Sequence, residues 1–294
     1  FGLDSEIKLV HVHNSGLSLN TDGHALLFGA DSEVSLTHVA DTGLLLNSTS
    51  KLMFGDSASF IHQSSDGNLK LDGESTVEIA STSGVKLTGT TPTLTIGDAG
   101  AEDTKIVFDG NAQDFHIGLD DSSDSLTIGL GSTLGTTSHM VIDANGHITK
   151  PLQSAFSVHK NVSNQSNISN SGDQLVTFST ERFDVNSDFD TSTSTFTAPV
   201  TGKYFLSVSC RFSQFDIDAD YIILFIATSN QQYRVLIDPN FSADLSFFTM
   251  KSTVLADMDA GDTATVGYSQ SGGLPQVDIV GNTDYTYFTG CLVC

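Results

Sequence analysis

Acidic side chains are the residues of this sequence whose spacing could bind a metal ion. Asp216, Asp218 and Asp220 lie in a short segment between two apolar runs. Carboxylate oxygens are the ligands that hard cations such as calcium prefer. We therefore treat these three residues as a candidate metal site, with a solvated acidic turn as the alternative. Calcium is the one cofactor that the sequence suggests.

A pair of histidines, His11 and His13, could also ligate a transition metal, because both imidazoles lie on one face of a predicted strand. The same segment recurs 27 residues later with His38 but with Ala40 in place of the second histidine. Since the repeat does not keep the pair, we interpret these histidines as packed or surface side chains.

Amide, aromatic and turn residues in the last third of the sequence are suited to binding sugars or proteins. Rings stack on apolar faces and amides bond to hydroxyls, and predicted loops on a rigid β-scaffold are where such binding usually occurs. The candidate receptor-contact residues are Gln232, Tyr233, Arg234, Asn240, Phe241, Asn282, Asp284 and Tyr285.

Catalytic motifs are absent from the sequence. It contains neither a Gly-x-Ser-x-Gly elbow nor a His-Glu-x-x-His metal motif. A polysaccharide-cleaving carboxylate pair, such as Asp109 with Asp114, would need a groove that short turns rarely make. We therefore expect a protein that is not an enzyme.

The composition excludes several classes of partner. The 294 residues include 12 Lys and Arg against 35 Asp and Glu, a formal charge of -23, which repels nucleic-acid phosphates. The longest apolar run, residues 221–227, is far shorter than a membrane span, so we expect no membrane insertion. Three cysteines suggest no disulfide framework, and Cys210 and Cys291 are expected in the core. Because the sequence begins at Phe1 without Met, we expect a fragment or a processed product.

The first half of the sequence repeats a turn followed by two apolar residues separated by one. Such pairs occur at Leu17/Leu19, Leu69/Leu71, Val85/Leu87, Leu94/Ile96 and Leu126/Ile128. Period two predicts β-strands, and no stretch has helical periodicity, so we expect an all-β chain. These strands carry few large side chains, so one copy of the chain could hardly bury them. Either successive turns stack as a solenoid or three chains share one core.

Three regions follow from these patterns. Residues 1–90 are predicted to form a repetitive β-shaft, and residues 91–150 a Gly/Asp-rich β-region that completes the shaft or forms a neck. Ala144-Asn145-Gly146 predicts a hairpin turn, and Pro151 ends strand pairing because it lacks an N–H. Residues 151–294 are predicted to form a β-sandwich head.

The head contains a spaced aromatic pattern: Phe178, Asp184, Phe189, Phe196, Gly202 and Tyr204. This spacing resembles the globular domain of complement C1q and its tumour-necrosis-factor-like relatives, in which aromatic residues also stand at the positions of Leu206 and Val208. Ala155–Val158 and Tyr287–Val293 resemble the first and last strands of that family. The resemblance implies a jelly roll, assembly as a homotrimer through an aromatic-rich face, and acidic loops that often hold calcium.

The first half resembles the trimeric β-shafts of bacteriophage tail fibres, through short strands, Gly/Asp/Asn turns and phrases such as Thr37-His38-Val39. Together the two resemblances predict an extracellular virion protein: a trimeric tail fibre that contacts other tail proteins and binds a host-surface glycan or protein. The alternatives are a secreted C1q-like lectin or adhesin, a fibre with polysaccharide depolymerase activity, and a structural fibre without a ligand.

Overall fold

A computed structural model describes residues 9–12, 16–19, 25–47, 50–73 and 75–294 of the chain. The chain divides into two compact units, Phe1–Thr93 and Leu94–Cys294. Over the described ranges the secondary structure consists of strands and turns without a helix, which confirms the all-β prediction.

The first unit contains three small antiparallel sheets made of hairpins. A two-stranded sheet pairs β1 with β2, and two three-stranded sheets have the orders β3-β4-β5 and β6-β7-β8. The strands are β1 (Leu9–Val12), β2 (Gly16–Leu19), β3 (Ala25–Phe28), β4 (Val34–Val39), β5 (Gly43–Leu46), β6 (Leu52–Met53), β7 (Phe60–Ser65) and β8 (Asn68–Asp72).

Apolar side chains of this unit are mostly exposed. Among its described residues, Phe60 is the only buried large apolar side chain, with the Lys51 ammonium 3.3 Å from its ring centroid. Leu44 and Leu69, by contrast, are at least 70% exposed. The described part of this unit therefore has almost no hydrophobic core within a single copy of the chain.

Residues 75–103 contain no strand, although Val85/Leu87 and Leu94/Ile96 were predicted as strands. The prediction was wrong for one chain because a strand needs a hydrogen-bonded neighbour, and this segment has none within its own chain. The alternating apolar side chains here are exposed. The other three pairs, at Leu17, Leu69 and Leu126, do lie in strands.

The second unit begins with a five-stranded antiparallel meander, which we call the meander sheet. Its strands are β9 (Thr104–Phe108), β10 (Phe115–Asp120), β11 (Ser125–Leu130), β12 (Ser138–Ile142) and β13 (Ile148–Thr149), paired in chain order. The predicted hairpin turn is confirmed, since Gly146 adopts φ +85° and its N–H donates to Asp143 O (2.9 Å).

A β-sandwich follows, built from two sheets. Sheet I has the order β16-β14-β25-β19-β22, and sheet II has the order β17-β18-β23-β20-β21. Two short strands, β24 and β15, pair with β19 and β23 respectively. The strands are β14 (Ala155–His159), β15 (Gln174–Leu175), β16 (Thr180–Asp184), β17 (Phe189–Asp190), β18 (Thr195–Thr197), β19 (Gly202–Phe215), β20 (Ala219–Thr228), β21 (Gln232–Ile237), β22 (Leu245–Met258), β23 (Thr263–Gly272), β24 (Asp278–Ile279) and β25 (Tyr287–Leu292). The predicted first and last strands of the head are confirmed.

The core of the sandwich is aromatic at its centre. Phe156 lies fully buried with its ring centroid 4.7 Å from that of Phe196, 5.1 Å from Phe288 and 5.2 Å from Phe189. Leu206 and Val208 are fully buried too. Aliphatic side chains therefore fill the positions where the resembled family has rings, and the alternation of β19 still points into one core.

Asp184 fixes the turn that leads into β17. Its two carboxylate oxygens accept hydrogen bonds from Asp188 N (3.2 Å) and Phe189 N (2.9 Å). This geometry places Phe189 in the core, which explains why an acidic residue belongs in the aromatic pattern.

Replacing Asp188 with Asn should stabilise the protein at pH 7 by up to about 1 kcal/mol, because a buried, unpaired polar charge is removed. Asp188 Oδ2 is buried and has no hydrogen-bond partner in the described part of the chain. Burial raises the pKa of this carboxyl more than the neighbouring Ser154 hydroxyl lowers it, and nearby Asp184 adds to the rise. The charge therefore costs stability above the raised pKa, and the cost disappears as the pH falls towards 3.8, the ordinary value.

Urea unfolding of both proteins at pH 7 and pH 4 measures this effect. The advantage of the Asn variant should shrink at pH 4, because the raised pKa of Asp188 keeps more of the native carboxyl protonated at that pH than at pH 7. An advantage that is equal at both pH values would mean that the charge is not its cause.

Candidate functional site

The acidic segment between β19 and β20 forms a hydrogen-bonded turn. Asp216 is buried, and its carboxylate accepts from Leu274 N (2.6 Å), Asp218 N (2.9 Å) and Gln270 Nε2 (3.3 Å). Gln270 in turn accepts from the Tyr268 hydroxyl at 2.6 Å. Burial raises the pKa of that hydroxyl, and Asp216 adds to the rise. Asp216 thus anchors the β23–β24 loop to this turn.

The three acidic side chains do not converge. Asp220 accepts from the Ser271 hydroxyl (3.1 Å), whereas Asp216 is committed to backbone and amide donors. Nowhere in the described residues do three or more His, Cys, Asp or Glu side chains group in a way that could hold a metal ion. Asp216, Asp218 and Asp220 as arranged therefore do not form the predicted calcium site. The histidine pair lies outside the residues whose side chains are described.

A cavity of about 230 Å³ opens on the outer face of sheet II. Its lining consists of Asp173, Gln174, Leu175, Phe225, Ala227, Gln232, Thr265, Val266 and Gly267. The Phe225 ring lies directly on Gly267, where an added Cβ would be 2.1 Å from the ring. Gly267 is therefore needed at this position for the ring to pack flat on the sheet.

Arg234 lies at the edge of this cavity and holds its polar groups in place. Its guanidinium is 4.7 Å from the Phe225 ring centroid, pairs with Asp173 Oδ2 at 3.0 Å, and donates through Nε to Gln232 Oε1 at 2.9 Å. Planar stacking and two directed hydrogen bonds give the arginine a fixed orientation. The predicted residues Gln232 and Arg234 thus meet in one site, together with Asp173, which the prediction missed.

The loop assignment of Gln232, Tyr233 and Arg234 was wrong. All three lie on the edge strand β21, because the turn ends at Gln231, whose carbonyl accepts from Thr228 N at 2.8 Å. Strand alternation sends Tyr233 to the opposite face, where it packs against the core. Tyr233 is therefore not part of the cavity.

The remaining candidates lie in two other loops. Asn240 and Phe241 belong to the β21–β22 loop, with the Phe241 ring centroid 6.0 Å from that of Phe248. Asn282 and Asp284 belong to the β24–β25 loop, where Asn282 Oδ1 accepts from Asp284 N at 2.7 Å. Tyr285, in the same loop, lies against Arg211 and faces the outer side of sheet I. The eight predicted residues therefore occupy separate places rather than one site.

The outer face of sheet I carries several exposed large apolar side chains among polar ones. Phe205 and Leu255 face each other across β19 and β22, Phe247 lies further along β22 beyond the Ser207–Thr253 and Ser209–Lys251 pairs, and Phe183 lies on β16. The four side chains are between 42% and 59% exposed. We call this surface, with Tyr285, the aromatic face. Apolar patches of this kind on a soluble protein usually mark an interaction surface.

Arg211 is sandwiched in the aromatic face between two rings. Its Cζ is 3.9 Å from the Phe247 ring centroid and 4.4 Å from that of Tyr285. Cys291 also lies in this face, opposite Phe205 on β25, and is only half-buried. Its predicted place in the core was wrong, because it alternates with the inward-facing Gly290, whereas Cys210 is buried as expected.

The residues of this sandwich match the model of a known protein family. The family model described as "C1q domain" matches residues 155–293. This sandwich is a C1q domain. The match begins at the first residue of β14 and ends just after β25, so it includes sheet I, sheet II and the core between them. A comparison with curated proteins gave no match.

Solved structures similar to the C1q domain include three from animals. The globular domain of zebrafish complement 1qA is 20% identical, with a TM-score of 0.36, covering 48% of this chain and 98% of that one. Murine APRIL is 12% identical, with a TM-score of 0.36 and coverages of 48% and 99%. Eiger TNF from S. frugiperda is 13% identical, with a TM-score of 0.36 and coverages of 48% and 94%.

Within the described ranges, no helix is long and apolar enough to cross a membrane.

Proposed function

We propose that this chain is a subunit of a homotrimeric fibre whose C1q domain binds a receptor on a cell surface. The aromatic face is the observation that supports this proposal: Phe205, Leu255 and Phe247 are exposed on the outer face of sheet I and would be covered if three copies met around a common axis. Covering such side chains contributes about 25 cal/mol per Å² of apolar area. The mass in solution tests it, with three chains of 31.2 kDa expected per particle.

The first unit supports a fibre rather than an isolated head. Its described hairpins expose Leu44, Leu69 and their neighbours, and residues 75–103 keep a strand-like alternation without a partner. Three chains wrapped around one axis would supply both the missing strand partners and the missing core. With the resemblance to bacteriophage shafts, this favours a virion tail fibre that other tail proteins hold on the particle.

We place receptor binding at the cavity beside Arg234. A cavity of this size accepts a sugar ring or a single side chain, and Asp173, Gln232 and Arg234 line it or its edge with acceptors and donors. Three copies on one fibre would gain avidity on a surface that repeats its ligand. Binding rather than catalysis is therefore the activity we assign.

Replacing Arg234 with Ala should weaken binding at least about tenfold. Its loss removes the stacked guanidinium and leaves Asp173 and Gln232 without their shared partner, and truncation of such an arginine typically costs more than 1 kcal/mol. The measurement uses immobilised bacterial lipopolysaccharides and capsular polysaccharides, with the full chain as the soluble partner.

The control is Lys86→Ala, which removes one exposed positive charge from the first unit. If both variants bind as the unmodified protein does, the cavity is not the receptor site. If the unmodified chain instead releases reducing sugar from these polysaccharides, it is a depolymerase and our assignment fails.

A C1q-like binding protein outside a virion is the second candidate. The C1q domain match favours it, because it concerns the half of the chain that would bind the ligand. Electron microscopy of virus particles labelled with an antibody against residues 155–293 separates the two, since labelling of tail fibres occurs only in the first case.

A further inference from the structure

The meander sheet has the reverse of the usual distribution of polar and apolar side chains. On β10, His116 and Asp120 are buried, and on β11 Ser125 and Thr127 are buried. The loop of residues 131–137 covers this polar face: Leu134 is itself buried, and Gly131 O is 2.8 Å from His116 Nδ1. The covering loop therefore buries the polar face of the sheet, whereas large apolar side chains on the other face stay exposed.

The opposite face is apolar and uncovered. The strand registers align its side chains in rows, with Phe115 beside Phe108 and Ile117 beside Ile106. Six of these side chains are 37–55% exposed: Ile106, Phe108, Phe115, Ile117, Leu119 and Leu126. At side-chain areas of about 200 Å² this is roughly 500 Å² of exposed apolar surface, the upper end of what a soluble monomer shows.

We propose that this apolar face of the meander sheet is a contact surface between copies of the chain, with three sheets closing on one another around the fibre axis. The inference rests on the proposed homotrimer and adds a second interface to it, outside the C1q domain. Three sheets arranged in this way would enclose a dry core made of the rows that each chain leaves exposed.

Charge favours a copy of this chain as the occupant. The whole sequence carries a formal charge of -23, so copies repel each other wherever carboxylates face one another. The apolar rows contain no charged residue, since Lys105 lies on the other face of β9 and Asp120 lies under the covering loop. The face is thus the part of the unit where like chains can meet without repulsion.

The position of the face within its unit agrees with this occupant. The His139 ring centroid is 6.2 Å from that of Phe115, and His139 also lines a 320 Å³ cavity with Leu152 and Leu292. One end of the apolar rows, at Phe115, therefore lies close to Leu292 on β25 of the C1q domain. Once three C1q domains associate, the tethered sheets meet at an effective concentration in the millimolar range.

The test is cross-linking of full-length protein in which Cys291 and Cys294 are replaced by Ser, with Ile117→Cys as the probe. Ile117 is central in the apolar rows, so its thiols should approach those of neighbouring copies, and oxidation should link most chains in pairs. Lys105→Cys, on the other face of the same sheet, is the matched control and should remain unlinked. A third variant, Phe205→Cys, reports on the aromatic face of the C1q domain.

The outcomes separate the two interfaces. Linking at positions 117 and 205 but not at 105 supports the inference. Linking at 205 alone overturns it and leaves the proposed trimer intact. Equal linking at 117 and 105 reports random collision and also overturns it. If no position links and the particle has the mass of one chain, the inference and the proposed homotrimer both fail.

Discussion

Replacing Phe205 with Asp should raise the chain concentration at which half of the protein is trimeric by at least about a hundredfold. Phe205 lies in the aromatic face between Leu255 on β22 and Cys291 on β25. A carboxylate there would lose its water on assembly without gaining a partner, which costs several kcal/mol. The penalty applies to each of three chains, and every 1.4 kcal/mol is a factor of ten.

Sedimentation over a series of concentrations measures this shift, and circular dichroism confirms that the variant is folded. The matched control is Val162→Asp, the same type of change at a loop residue that is 79% exposed. We expect the control to sediment as the unmodified protein does. If the curves of Phe205→Asp coincide with those of the control, the aromatic face is not an interface, and the fibre is held together elsewhere.

The fold of the C1q domain could be predicted from sequence because its determinants are local. Phe189, Phe196 and Tyr204 each follow a turn that fixes which way the next strand faces, and Asp184 makes one of these turns with its own side chain. The alternation of side chains along β19 then directs Leu206 and Val208 into the core, although neither is aromatic.

The faces of the meander sheet could not be predicted in the same way. Period two identifies strands but leaves open which face is covered, and here the β11–β12 connection, residues 131–137, folds over one face. Gly118 and Gly129 allow that loop to approach, since an added Cβ on Gly129 would lie 2.4 Å from Thr137 O and one on Gly118 would lie 3.0 Å from the Leu134 side chain. Close approach of two non-neighbouring backbones has no signal in the sequence other than the glycines themselves.

The candidate binding cavity was predictable in part. Gln232 and Arg234 are two residues apart and share a strand face, so a local pattern contains both. Gly267 enters the site through the pairing of β20 with β23, and Asp173 through the pairing of β15, which follows it, with β23. A sequence search could have found Gly267 as an isolated glycine in a strand, which often marks a close approach. Nothing in the sequence linked Asp173 to Arg234.

Replacing Phe156 with Ala should cost about 3–5 kcal/mol of unfolding free energy, the usual loss for a buried phenylalanine. Phe156 is fully buried, and its ring contacts three other aromatic rings and the backbone of Gly290, where an added Cβ would be 2.7 Å away. The surrounding rings are held on both sheets, so they cannot collapse into the space left behind. The cavity therefore remains largely empty.

Urea unfolding at a fixed chain concentration measures the loss, because assembly would otherwise change the apparent stability. Phe241→Ala is the control: it makes the same chemical change in a loop where the ring is 38% exposed, and it should cost about 1 kcal/mol or less. Similar costs at both positions would contradict a core centred on Phe156. A large cost at Phe156 with an unchanged trimer midpoint would separate the stability of the C1q domain from its assembly, because the sandwich core and the aromatic face are opposite sides of the same strands.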